Sequence, residues 1–137
     1  MEPLKELRLF QAVIVVASIV PIAAGAAGVL QGPEMIRAFA NGNADLDSHF
    51  AYLSGLLLGI GIAFLFCVAR VRSRAQAFRI LGLIVITGGV ARLLATFRSG
   101  LPSEAHQFAY VMELVVMPSL LIWHRRITVL CLMDPDA

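Results

Sequence analysis

The chain reads as an all-α membrane protein, four transmembrane helices in an up-down bundle. Two observations carry this: four long apolar stretches near residues 9–30, 50–71, 78–97 and 108–127, and connections too short to hold a soluble domain. Each stretch is close to the twenty or so residues a helix needs to cross about 30 Å of hydrocarbon. No water is available there to satisfy backbone groups, so helices are the spanning form. Composition agrees, with 59% hydrophobic residues, 15% charged residues and a mean hydropathy of +0.84, which excludes an ordinary soluble bundle. The expectation is a single domain, residues 1–137.

The first stretch follows Lys5 and Arg8 and ends in a small-residue run, Ala23-Ala24-Gly25-Ala26-Ala27, which mimics a secretory signal with its cleavage site. A signal's apolar core is about 7–15 residues, and this one is longer, so an uncleaved first helix is expected. Pro21 falls inside it and Pro118 inside the fourth stretch, both as kink positions. The connection 31–48 is the only long one. Pro33 suits a first helical turn, Glu34 complements a helix N-terminus, and Met35, Ile36 and Phe39 make an apolar stripe before Asn41 and Gly42. A short interfacial helix in this outer loop is the reading.

Orientation follows from the eleven Lys and Arg residues. Lys5, Arg8, Arg70, Arg72, Arg74, Arg79, Arg125 and Arg126 fall on one side, Arg37 and Arg98 on the other, and Arg92 inside the third stretch. Short basic loops stay in the cytoplasm, which places both termini and the 70–79 connection there. Glu34, Asp45, Asp47 and Glu104 then face outward. Cys67 and Cys131 lie on the reducing side without metal-type or CxxC spacing, so free thiols are expected.

His49-Phe50-Ala51-Tyr52 opens the second stretch and His106-Gln107-Phe108-Ala109-Tyr110 opens the fourth, a recurrence compatible with two pseudo-repeated helical hairpins. Aromatic belts alone also account for Tyr52, Tyr110 and Trp123. Small residues (Ser18, Gly25 and Gly28; Gly55 and Gly59 as Gly-x-x-x-Gly, with Gly61 nearby; Gly82, Gly88 and Gly89) mark helix faces for close approach, as internal seams or as faces for a homo-oligomer or membrane-complex partner.

Arg92 and Glu113 are the two ionisable residues placed well inside the apolar stretches. A charge at mid-membrane costs on the order of 2.5–3.5 kcal/mol on the mildest scale, and pairing is the simplest compensation. Helical spacing extends the site. His106, Tyr110 and Glu113 stand at i, i+4 and i+7, Arg92 and Thr96 share a face, and Tyr52 with His49 tops the second helix. The expected ligand-binding lining of an outward-facing polar pocket is Arg92, Glu113, His106, Tyr110, Tyr52, His49 and Thr96. A structural clasp, a snorkelling Arg92 and a ligand or proton site compete for the pair.

No metal-ligand set, cofactor motif or nucleophile elbow is present in the sequence, and the basic residues lie at a membrane face, so no cofactor and no nucleic acid are implied and membrane lipids are the surroundings. Residues 47–126 resemble an uncharacterised bacterial membrane family catalogued as domain of unknown function 4345. The resemblance rests on His49-Phe50-Ala51-Tyr52-Leu53-Ser54-Gly55 with Leu58-Gly59-Ile60-Gly61, on Gly88-Gly89-Val90-Ala91-Arg92-Leu93, and on Glu113-Leu114 with Pro118. It implies a four-helix, multi-pass inner-membrane protein and brings no activity with it. Function on these grounds is a non-enzymatic accessory subunit or binder of a small lipid-like molecule. The alternatives are a membrane-embedded acid–base enzyme using Glu113 on a lipid, sterol-like or quinone substrate, and a small transporter built as an oligomer.

Overall fold

The computed structural model describes residues 3–35 and 43–133. Among the described residues five α-helices are present: α1 (Pro3–Gln31), α2 (Ala44–Val68), α3 (Ala75–Ser99), α4 (Glu104–Val111) and α5 (Met117–Met133), the last two joined by a π-helical turn, Met112–Val116. They make four spans long and apolar enough to cross a membrane, of 25 to 28 residues. At 1.5 Å per residue such spans exceed the hydrocarbon thickness of about 30 Å. Large apolar side chains point outward along all of them, with Val16 64% and Ile122 73% exposed, as in helices of a length and composition suited to crossing a membrane.

The helices run further than the apolar stretches. Hydropathy locates the hydrocarbon-crossing part, whereas charged residues such as Lys5 and Glu6 are good helix formers and carry α1 back to Pro3. The stops are local. Gly32 takes φ 65°, a left-handed position that ends α1, and a 3-10 turn over Gly32–Met35 follows. The rest of the expected interfacial helix, with Ile36 and Phe39, lies outside the described residues. Asn43 caps α2, its side-chain oxygen accepting from the Leu46 N–H at 2.8 Å, with Asp45 and Asp47 in the first turn complementing the helix dipole. Gly100, at φ 86°, closes α3 by donating its N–H to the Thr96 carbonyl at 2.8 Å.

The chain divides into two compact units. In Gln11–Ala69, α1 and α2 pack through glycines. A Cβ on Gly25 would stand 2.5 Å from the Leu58 nitrogen and 2.7 Å from the Ser54 carbonyl oxygen, and one on Gly61 would meet Ile22 and Pro21. The Gln11 side-chain amide donates to the Val68 carbonyl at 3.0 Å and ties the ends of the hairpin. The internal-seam reading of Gly55 and Gly59 is corrected here: neither has any atom within 4 Å of a built Cβ, and Gly88 is equally open. The spacing marks a face that permits approach without saying which way it points, and in α2 the packed glycine is Gly61. Cys67 is buried and not disulfide-bonded.

The second unit, Met1–Phe10 with Arg70–Ala137, joins the first turns of α1 to α3, α4 and α5. Gly82 packs against Leu121 and Met117, and Gly89 against Glu113 and Leu114, so rising numbers on α3 meet falling numbers on the fourth span and the two run antiparallel. At the end where the chain enters α3, Phe10 meets Phe78 and Trp123 edge-on, with ring centroids 5.6 and 5.3 Å apart. His124 stacks on Phe78 at 4.5 Å, fully buried.

Candidate functional site

The polar cluster of the second unit is set by where α3 and the fourth span come closest. Gly89 has no side chain to hold α3 away from Glu113, whose Cβ would be 2.8 Å from a Cβ at that position. Arg92, nearly one turn further along α3, reaches across this gap. Its Nε donates to Glu113 Oε2 at 3.1 Å and its Nη2 to Oε1 at 3.0 Å, a two-point guanidinium–carboxylate contact. The side chains are 34% and 16% exposed, so the acid is the more enclosed partner.

The backbone around Glu113 is also adapted. Pro118 has no N–H to give the Leu114 carbonyl, and its ring crowds that oxygen. The helix widens just ahead of it: the Met117 N–H bonds to the Met112 carbonyl five residues back, in place of the usual four. Such π turns are often found at functional sites, where the extra residue re-aims a side chain. Here the turn contains Glu113.

Thr96 and Tyr110 complete the cluster as the helical spacing predicts. Thr96 Oγ1 donates to the Arg92 carbonyl at 3.3 Å, and the Tyr110 hydroxyl is hydrogen-bonded to Thr96 Oγ1 and also lies 3.4 Å from that carbonyl. Two hydroxyls thus pin the backbone of the residue whose side chain makes the ion pair. Tyr110 is therefore a member of this cluster.

The other candidates are placed differently. His106 lies at the start of α4, its Nδ1 paired with Ser103 Oγ at 3.0 Å, as part of the turn that begins the helix. His49 and Tyr52 are exposed residues of α2 in the first unit. Four of the seven expected lining residues, Arg92, Thr96, Tyr110 and Glu113, are joined by hydrogen bonds. Among the described residues no three His, Cys, Asp or Glu side chains gather in a metal-binding group.

A second polar group escaped the sequence reading. Glu6 is buried at 5% exposure, accepts from Trp123 Nε1 at 3.1 Å and pairs with Arg126 Nε at 3.2 Å. Among the described residues neither ring nitrogen of His124, which packs against Phe10 and Phe78, makes a hydrogen bond of normal geometry, although the Val71 backbone is close enough to interact with the ring. Trp123 is thus a hydrogen-bond donor to a buried acid. The available signal was an acidic residue between Lys5 and Arg8 at the start of the first apolar stretch, with the run Trp123-His124-Arg125-Arg126 at the end of the last. Because Trp123 is the only tryptophan, its fluorescence reports on the contact directly. Glu6→Leu leaves a donor unsatisfied and should lower stability by about 1–3 kcal/mol while shifting the emission, with Arg126 adding little because it is mostly solvent-exposed. Glu6→Gln keeps an acceptor and should retain most of both, as read by thermal unfolding in detergent.

No curated protein and no solved structure matches the chain significantly. The model of a family described as Domain of unknown function (DUF4345) does match, over residues 9–124, a region that contains both hairpins and all four residues of the Arg92 cluster. The chain belongs to the DUF4345 family.

Proposed function

We propose that this protein is a non-enzymatic component of the bacterial inner membrane, multi-pass with both termini cytoplasmic, acting as an accessory subunit or as a binder of a small lipid-like molecule. In this reading the Arg92–Glu113 clasp fixes the register of α3 against the fourth span and organises a polar patch in the outer half of the membrane. The observation that carries it is the two-point contact, which engages both oxygens of Glu113. An acid–base catalyst must present a carboxylate edge to its substrate, and here each edge already meets the guanidinium. What stays available to a ligand is the partly exposed side of Arg92. The orientation is supported by eight of the eleven Lys and Arg residues falling on one side of the spans.

Native mass spectrometry of the full chain extracted with its own lipids tests the reading. A retained amphiphile or second polypeptide, lost on Arg92→Gln, is the expected result. Wild-type protein that flies bare, or none of whose adducts depends on Arg92, would contradict it.

A further inference from the structure

A groove of about 410 Å³, distinct from the Arg92 cluster, is lined by Arg79 and Leu83 of α3 and by Leu121 and Arg125 of α5. Each pair is spaced i, i+4, which sets its two side chains on one helix face about 6 Å apart along the axis. Because α3 and the fourth span run antiparallel, the arginines share one level and the leucines share another, one turn deeper. Gly82 makes the close approach beside it, since a Cβ there would stand 2.7 Å from Leu121 Cδ2.

Among the described residues no carboxylate pairs with the charge of this groove. Arg79 and Arg125 are exposed, and among the described residues neither forms a salt bridge, whereas Arg126 is taken by Glu6. The deeper end is flanked by apolar side chains turned outward, with Ile80 50%, Leu83 59% and Ile84 48% exposed. A free anion would match the arginines and leave the apolar floor unused; a neutral amphiphile would cover the floor and leave two cations unmatched. An anion with a hydrocarbon chain uses both, and guanidinium forks fit phosphate oxygens. Basic pockets between spans at the boundary level are suited to anionic head groups.

We propose that this groove is a binding site for an anionic phospholipid, the head-group phosphate held between Arg79 and Arg125 and an acyl chain lying along Leu83 and Leu121. The site is independent of the Arg92 cluster, so neither proposal stands or falls with the other.

The test uses the full chain in detergent, titrated in parallel with dioleoyl-phosphatidylglycerol, dioleoyl-phosphatidylcholine and inorganic phosphate, with bound lipid counted by native mass spectrometry. Phosphatidylglycerol should be retained in preference to phosphatidylcholine. The double variant R79Q/R125Q should weaken its binding roughly thirty-fold, taking the usual contribution of each basic residue near an anionic surface. R79K/R125K should keep most of the binding. Leu83→Trp leaves the charge intact and fills the groove, and should also abolish retention, which separates a seated lipid from diffuse attraction and serves if the Gln variant misfolds. Equal retention of the two lipids, undiminished binding in R79Q/R125Q or Leu83→Trp, or displacement of phosphatidylglycerol by millimolar phosphate would overturn the proposal.

Discussion

Gly25→Ala should cost roughly 3 kcal/mol of stability, the upper part of the range for overpacking, whereas Gly59→Ala should be neutral or stabilising by about 0.5–1 kcal/mol. The new methyl at position 25 would press on the Leu58 nitrogen at 2.5 Å and the Ser54 oxygen at 2.7 Å, and both are backbone atoms of α2 that cannot swing aside. At position 59 it would meet nothing within 4 Å and simply improve helix propensity. Thermal unfolding of the two variants in the same detergent decides the matter. A destabilised Gly59→Ala beside a tolerant Gly25→Ala would mean that α1 and α2 pack through the Gly-x-x-x-Gly face after all.

Removing one member of the ion pair should be comparably damaging. Arg92→Met or Glu113→Leu leaves the other charge, and its hydrogen-bonding groups, without a partner in an apolar setting. Breaking a buried pair typically costs about 3–5 kcal/mol; the 34% exposure of Arg92 points to the low end, roughly 3 kcal/mol. Loss of helical ellipticity against sodium dodecyl sulfate fraction measures both, and variants as stable as wild type would remove the clasp from the account.

How much of this was legible beforehand depends on the range of the interaction. Arg92 and Glu113 were readable because an ion within an apolar stretch needs a partner and the short connection after Ser99 offered few choices. Thr96 and Tyr110 followed from the 3.6-residue period. The period served less well for His106: it shares α4 with Tyr110, but it sits in the first turn, where its ring partners Ser103 and is not hydrogen-bonded to the cluster. Pro118 announced an irregularity but not its form, a widened turn rather than a simple bend.

Contacts distant in sequence were out of reach. The Glu6 to Trp123 bond spans 117 positions, and no local pattern brings the start of α1 to the end of α5. Gly55 and Gly59 show the same limit from the other side. Small residues reveal that a helix face allows close approach, and only the packed structure shows that in α2 it is Gly61, rather than Gly55 or Gly59, that is in contact.

The clasp itself is tested most directly by completing the cycle with Arg92→Met/Glu113→Leu. If the two side chains compensate one another, the double variant should lose clearly less than the two single variants together, with a coupling of about 1–3 kcal/mol. Losses that simply add would contradict the central claim.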